Sequence, residues 1–253
     1  MNKSPPPAAV AKSSLVTRSV VPTTNDYLEF KPYLRYDFFH SCAYCTMSEA
    51  EARAIRFTID HYEPRNARSD LVNEYSNLMY SCDECNLRKG DRSPPPSARL
   101  EGYRFFRPDQ DEHADHFSAS GIRINPRTNL GEYTVEALDL NRAALRKLRE
   151  LRKRLVECEQ TVIQGVLALR SIHIDRLPSS VKGQVNGAIA RAQGVAAELA
   201  TEIDSILRSY AKSDLIDVDP DSETRAKERS KKLKDMASLH PGSWRAPRAP
   251  RKK

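Results

Sequence analysis

Apolar positions along the chain change rhythm several times, and each rhythm predicts a different element. From Asp26 to His40, Tyr27, Phe30, Leu34 and Phe38 recur every three or four positions, as on a helix with one buried face. Asp26 stands where a cap would, and Pro32 breaks the regularity, so the stretch reads as a helix or a broken helix leading into Cys42. Ile55 to Tyr62 alternates and is partly β-branched, which predicts a strand ended by Pro64. A polar loop from Arg65 to Tyr75 follows, then a short strand over Leu78–Ser81 and a short helix from Asp83 that Gly90 stops. The stretch Tyr103–Leu140 is mixed. Gly121–Ile124 and Tyr133–Val135 suggest a small hairpin turning around Asn129–Gly131.

Beyond Asn141 the period becomes helical. Leu145, Leu148, Leu151 and Leu155 form one stripe, Pro178 punctuates, and Ser179–Ser180 can cap a second helix to about Tyr210. Val195, Leu199, Ile203 and Ile206 lie on one side of that helix, and the two helices suggest an antiparallel hairpin. The expected organisation is a disordered leader over 1–25, a compact unit over 26–100, a mixed extension over 101–140, the helical hairpin over 141–212, and a disordered basic tail over 213–253.

Charge sharpens the reading of the tail. The net charge is +7, and residues 221–253 hold eleven Lys or Arg against four Asp or Glu, so the first 220 residues are formally neutral. A basic end can hold nucleic acid through phosphate contacts, or can simply be a solvated end. Arg142, Arg146, Lys147, Arg149, Arg152, Lys153 and Arg154 cannot share one helix face, so part of that run reads as solvated surface. No run of eighteen apolar residues occurs, which predicts no membrane span. The N-terminal segment lacks the apolar stretch of a secretory signal, which makes the cytoplasm the expected compartment.

Five cysteines are present. Cys42–Cys45 and Cys82–Cys85 are two C-x-x-C pairs separated by 36 residues, and Cys158 stands alone in a helical stretch. Two such pairs can close a tetrahedral thiolate site, and a soft set of four sulfurs favours structural zinc. The odd count argues against a disulfide framework.

Between and beside these pairs stand Asp60-His61-Tyr62-Glu63-Pro64, Asn77-Leu78, Asn86 directly after Cys85, and Lys89-Gly90. In type, order and spacing over Cys42–Gly90 this set resembles the HNH endonuclease family, whose motif is a ββα finger holding one divalent metal. The resemblance implies an α+β fold, with a zinc-stabilised ββα-metal finger followed by a mainly helical C-terminal region. It also implies hydrolysis of phosphodiester bonds in nucleic acid, most simply DNA. It casts His61 as general base, a role that suits an imidazole near neutral pH. By the same resemblance Asp60 and Asn86 hold the catalytic metal, and Asn77 orients His61 or its loop. On a regular strand Asp60 and His61 face opposite sides, so a twist or bulge is expected to bring them together.

The final position is Asn86 rather than His. An amide and a carboxylate make a hard oxygen set, which predicts Mg²⁺ or Mn²⁺ over zinc or nickel there. Lys89, one turn from Asn86, reads as a phosphate contact or a cap of the finger. His113 and His116, three apart in an acidic stretch, read as a solvated loop more readily than as metal ligands. The segment Phe106–Arg152 resembles, more loosely, the extension of bacterial HNH proteins linked to phage defence or restriction, which suggests a protein partner such as an ATPase. The competing reading is a non-catalytic zinc module that binds nucleic acid or a protein. It accounts for the cysteines and the tail but does not need Asp60, His61, Asn77 or Asn86.

Overall fold

The structure is a computed structural model that describes residues 16–52, 55–170, 178, 180–191, 194, 201 and 222–245. The chain divides into two compact units, one of residues 1–145 and 221–253 and one of residues 146–220.

The first unit is organised around a two-stranded antiparallel sheet. Strand β1 (Phe57–His61) pairs with β2 (Leu78–Cys82) in continuous register from Phe57↔Cys82 to His61↔Leu78. Every residue of β2 is buried. Its inner partners are Leu34, Phe30 and Phe38 of the N-terminal stretch, where a 3-10 turn (Tyr27–Phe30) runs into α1 (Lys31–Asp37), which packs on β2. The expected break falls at Pro32, which sits in the first turn of α1, where its missing N–H is harmless. The Asp26 carboxylate caps the 3-10 turn by accepting from the Leu28 N–H at 2.9 Å.

After β2 the chain enters α2 (Asp83–Lys89), which ends at Gly90 with φ of +53°, a left-handed conformation that glycine adopts without cost. Short helix α3 (Pro96–Leu100) follows. The extension then begins with Phe105 and Phe106, both buried, and continues through α4 (His113–His116).

Three expectations change here. The hairpin of the extension is β3 (Phe117–Ser120) with β4 (Arg123–Pro126), turning at Gly121–Ile122. Tyr133–Val135 lies instead within helix α5 (Asn129–Leu138). Thr128 caps α5, and Leu130, Tyr133, Ala137 and Leu138 are buried at helical spacing, so the strand preference of an aromatic and two β-branched residues is overridden by packing. Gly131 is obligatory, because a Cβ there would come within 2.3 Å of the His116 carbonyl oxygen.

The second change concerns the leader. Residues 1–15 lie outside the described residues, but Val16 is buried. Arg18 donates to the Leu78 carbonyl at 2.8 Å and pairs with Asp109 at 3.0 Å. The segment is therefore tied to the sheet rather than disordered from residue 16 on.

The third concerns the tail. Helix α7 (Ser222–Leu239) packs on α5, Met236 is buried, Lys232 pairs with Glu136 at 2.8 Å and Arg229 with Asp139 at 2.8 Å. Acids on and just after α5, facing cations on α7, turn an apparently solvated charge run into an interface.

The second unit begins within the long helix α6 (Ala143–Arg170). On its predicted stripe Leu145 and Leu148 are buried, while Leu155 is exposed. Cys158 is half-buried and unpaired. A helical run is also assigned over 180–191. Val195, Leu199, Ile203, Ile206 and Tyr210, on which the expected hairpin depends, lie outside the described residues. No helix among the described residues is long and apolar enough to cross a membrane.

Candidate active site

Two clusters flank the sheet. In the first, the turn carrying Cys42 and Cys45 docks on β2 through the Ala43 N–H, which donates to the Tyr80 carbonyl at 2.8 Å. Cys42 itself donates to Met47, and Thr46, at φ of +60°, closes the knuckle. Cys82 ends β2 and Cys85 lies one turn into α2, so the sheet-to-helix corner delivers the second pair to the first. All four cysteines are buried, and their sulfurs lie within 4.8 Å of one another. Burial raises the Cys42 thiol, but hydrogen bonds from Cys45, Cys82 and Cys85 outweigh it and hold Cys42 well below the ordinary thiol value. The same crowding holds Cys45 and Cys85 well above it. The set is closed, soft and dry, so it fits structural zinc. Arg142, the first cation of the basic run, is buried here with its guanidinium 3.7 Å from the Cys85 sulfur and 3.0 Å from Glu84, where it offsets the sulfurs' negative charge.

The second cluster lines a cleft of about 550 Å³ on the other side of α2. Asp60, His61 and Asn86 all line it, together with Arg65, Asp83 and Asp91. Of the expected twist or bulge, the bulge is absent, because the register of β1 with β2 is continuous. The two neighbours keep opposite sides of the strand and still both reach the cleft, which opens past the strand end.

Asp60 is 3% exposed and held from two directions. The Tyr44 hydroxyl donates to one oxygen at 2.5 Å and the Lys89 ammonium contacts the other at 3.1 Å. Burial raises the Asp60 carboxyl above its ordinary value, against the opposing pull of Lys89 and Tyr44. Lys89 is fully buried and also donates to the His61 carbonyl at 2.6 Å. It therefore clamps the strand end from within, and of its two expected roles the phosphate contact is excluded by burial.

His61 Nε2 lies 2.9 Å from the Val72 carbonyl. A carbonyl only accepts, so Nε2 carries the proton and Nδ1 keeps its lone pair. The Tyr27 ring meets the imidazole edge-on at 4.8 Å. Burial lowers the His61 pKa, the Val72 carbonyl opposes this and Arg65 adds to it, so the neutral ring is favoured.

Asn77 is buried and fully used. Its amide oxygen accepts from the Glu63 N–H at 2.8 Å, and its NH₂ reaches the carbonyls of Glu63 and Leu71, both at 3.2 Å. It staples the two ends of the loop after β1, the loop that carries Val72 against His61. The Asn86 NH₂ donates to Thr58 Oγ1 at 3.0 Å, and its amide oxygen is the atom left for other uses. His113 and His116 take no part. The His113 ring packs against Phe106 and Phe117, and the His116 ring packs against Phe106 and meets Thr128.

Sequence reasoning missed the Lys89–Asp60 pair, Tyr44, and the cleft positions of Arg65, Asp83 and Asp91. Only the proximity of Asp83 to Cys82 and of Asp91 to Gly90 could have hinted at the last two. Asp60 and Asn86 offer oxygen donors to one cleft with two further carboxylates on its walls, a set that fits a hard divalent cation.

No curated protein and no solved structure matches the chain significantly. Residues 42–92 match the family model described as HNH endonuclease, a span that runs from the first cysteine of the four-sulfur cluster past the last cleft residue.

Proposed function

We propose that the protein is a metal-dependent endonuclease that hydrolyses phosphodiester bonds of DNA in the cleft beside the cysteine knot. The observation that carries this reading is the meeting of Asp60, His61 and Asn86 on one open cleft within the matched domain. His61, neutral and with Nδ1 unprotonated, takes the proton of the attacking water. Asn77 positions it indirectly, by holding the loop whose Val72 carbonyl selects the tautomer. Asp60 and Asn86 would hold Mg²⁺ or Mn²⁺, which supplies charge stabilisation to the phosphate and the leaving oxygen. Lys89 and Tyr44 fix the Asp60 carboxylate in place, and the exposed Arg65 meets the substrate's negative charge at the rim. The cysteine knot holds zinc and serves the fold. By the looser resemblance of Phe106–Arg152, the setting is phage defence or restriction, with a partner such as an ATPase.

Nicking of supercoiled plasmid in Mg²⁺ or Mn²⁺ tests the reading. His61→Ala should lose roughly 10²–10⁴ in rate at an unchanged melting temperature. Equal rates for the variant and the natural protein would overturn it. One observation favours the binding-module alternative: Asp60 is already satisfied by Lys89 and Tyr44 without a metal. Manganese binding followed by electron paramagnetic resonance separates the two, since an Asn86→Ala protein should lose a site that the natural protein has.

A further inference from the structure

A second pocket, of about 360 Å³, forms where the C-terminal stretch returns to the finger. The Ser93 N–H donates to the Trp244 carbonyl at 2.9 Å, and Arg92 and Arg245 form an antiparallel bridge. Helix α7 contributes Arg229 and Lys234 to the walls, and α5 contributes Tyr133. Four cations line the pocket and no carboxylate does. Arg229 is committed to Asp139, and Arg92 donates to the carbonyls of Arg88 and Lys89. Arg245 and Lys234 are exposed and, among the described residues, pair with no carboxylate. Burial, and then the like charge of Arg245, lower the pKa of the Arg92 guanidinium. Cations gathered this closely without an anion repel one another.

Tyr133 supplies an independent observation. It is 1% exposed, it lines the pocket, and its hydroxyl has no hydrogen-bond partner among the described residues. A buried hydroxyl is ordinarily paired, and Tyr133 belongs to the lining of the cationic pocket, so a small shift of the ring would offer the hydroxyl to an anion's oxygen.

We propose that this pocket binds a phosphate group, held by Arg245 and Lys234 with Arg92 behind them and the Tyr133 hydroxyl as a neutral donor. The same chemistry is offered by a polynucleotide backbone and by a free nucleotide. The backbone source rests on the nuclease reading: Asp91 lines the cleft and the next residue, Arg92, lines the pocket, so a strand cut in the cleft would carry neighbouring phosphates past this rim.

The test reads binding, with the full chain carrying His61→Ala so that no cleavage intervenes. Anisotropy of a fluorescein-labelled DNA duplex is followed over a salt series, and ATP and pyrophosphate are titrated calorimetrically. Removing Arg245 and Lys234 together (both to Ala) should weaken the bound ligand about tenfold and, for DNA, reduce the salt slope by about two. Tyr133→Phe keeps the ring and should weaken the same ligand about threefold without lowering the melting temperature. Loss confined to DNA identifies a backbone site, and loss confined to ATP and pyrophosphate a nucleotide site. Unchanged affinity for all three ligands would overturn the proposal. So would an equal loss on removing Lys227 and Lys231, which lie on α7 outside the pocket, because surface charge alone would then suffice. A nuclease reading that fails shows itself separately, as no plasmid cleavage by the natural protein.

Discussion

The cysteine knot and the cleft share β1, β2 and α2, yet they differ in what they leave unfinished. The knot turns all four of its donors toward one another behind fully buried β2, and nothing of it faces solvent. The cleft spends part of each group's capacity on the protein and leaves the rest open: Nδ1 of His61, the amide oxygen of Asn86, the remaining lone pairs of Asp60. A closed set serves stability and an open one serves chemistry. Substitutions in the first should remove the fold, and substitutions in the second should remove activity while the fold survives.

The sharpest way to break this comparison is to strip the knot. Loss of zinc, by strong chelation or by Cys82→Ser, should unfold residues 42–92 outright, since structural zinc contributes on the order of 10 kcal/mol to small domains. Circular dichroism and zinc content would follow it. Withdrawal of Mg²⁺ should leave the melting temperature nearly unmoved. A finger that stays folded without zinc would remove the distinction.

Lys89 is a smaller and more pointed test, because it belongs to the fold and to the site together. Lys89→Met leaves Asp60 buried without its cation and should cost about 3–5 kcal/mol in denaturant unfolding. Asp60→Asn combined with Lys89→Met should cost less than Lys89→Met alone, because no charge is then stranded. Asn77→Ala comes next. It frees two carbonyls and one N–H of the loop after β1 and should cost about 1–3 kcal/mol. Cleavage should fall with it, since Val72 no longer holds His61.

The smallest expected effect is on pH dependence. Arg99 forms a two-bond pair with Glu63 at 2.6 and 2.8 Å and, against the opposing effect of burial, holds its carboxyl below the ordinary value of 4.5. The folded value lies below the unfolded one, so the stability from this pair is present above pH 4.5 and is lost as pH falls through the lower folded value. Glu63→Gln should flatten that acid limb by less than about 1 kcal/mol, because Arg99 is partly exposed.

Local chemistry was legible wherever neighbours in sequence are neighbours in space. The two C-x-x-C pairs, the alternation of β1 and the stop at Gly90 could be read from spacing, and Asp60, His61 and Asn86 were singled out by the family resemblance that their order carries. Tyr133–Val135 could not, because three residues of strand preference are locally ambiguous and the decision rests on Thr128 capping α5 and on Gly131 fitting under His116. Nor could α7: its cations look solvated until Asp139 and Glu136, some ninety residues earlier, are brought beside them.

The sequence by itself therefore determined the four paired cysteines and the ββα order, since both depend on short-range spacing and residue type. Tertiary structure alone decided that Lys89 is an internal clamp and not a phosphate contact, that Arg142 faces a cysteine sulfur, and that the basic end folds back to complete a cationic pocket. Those outcomes depend on burial and on contacts between distant segments, and no local pattern encodes which buried charge meets which partner.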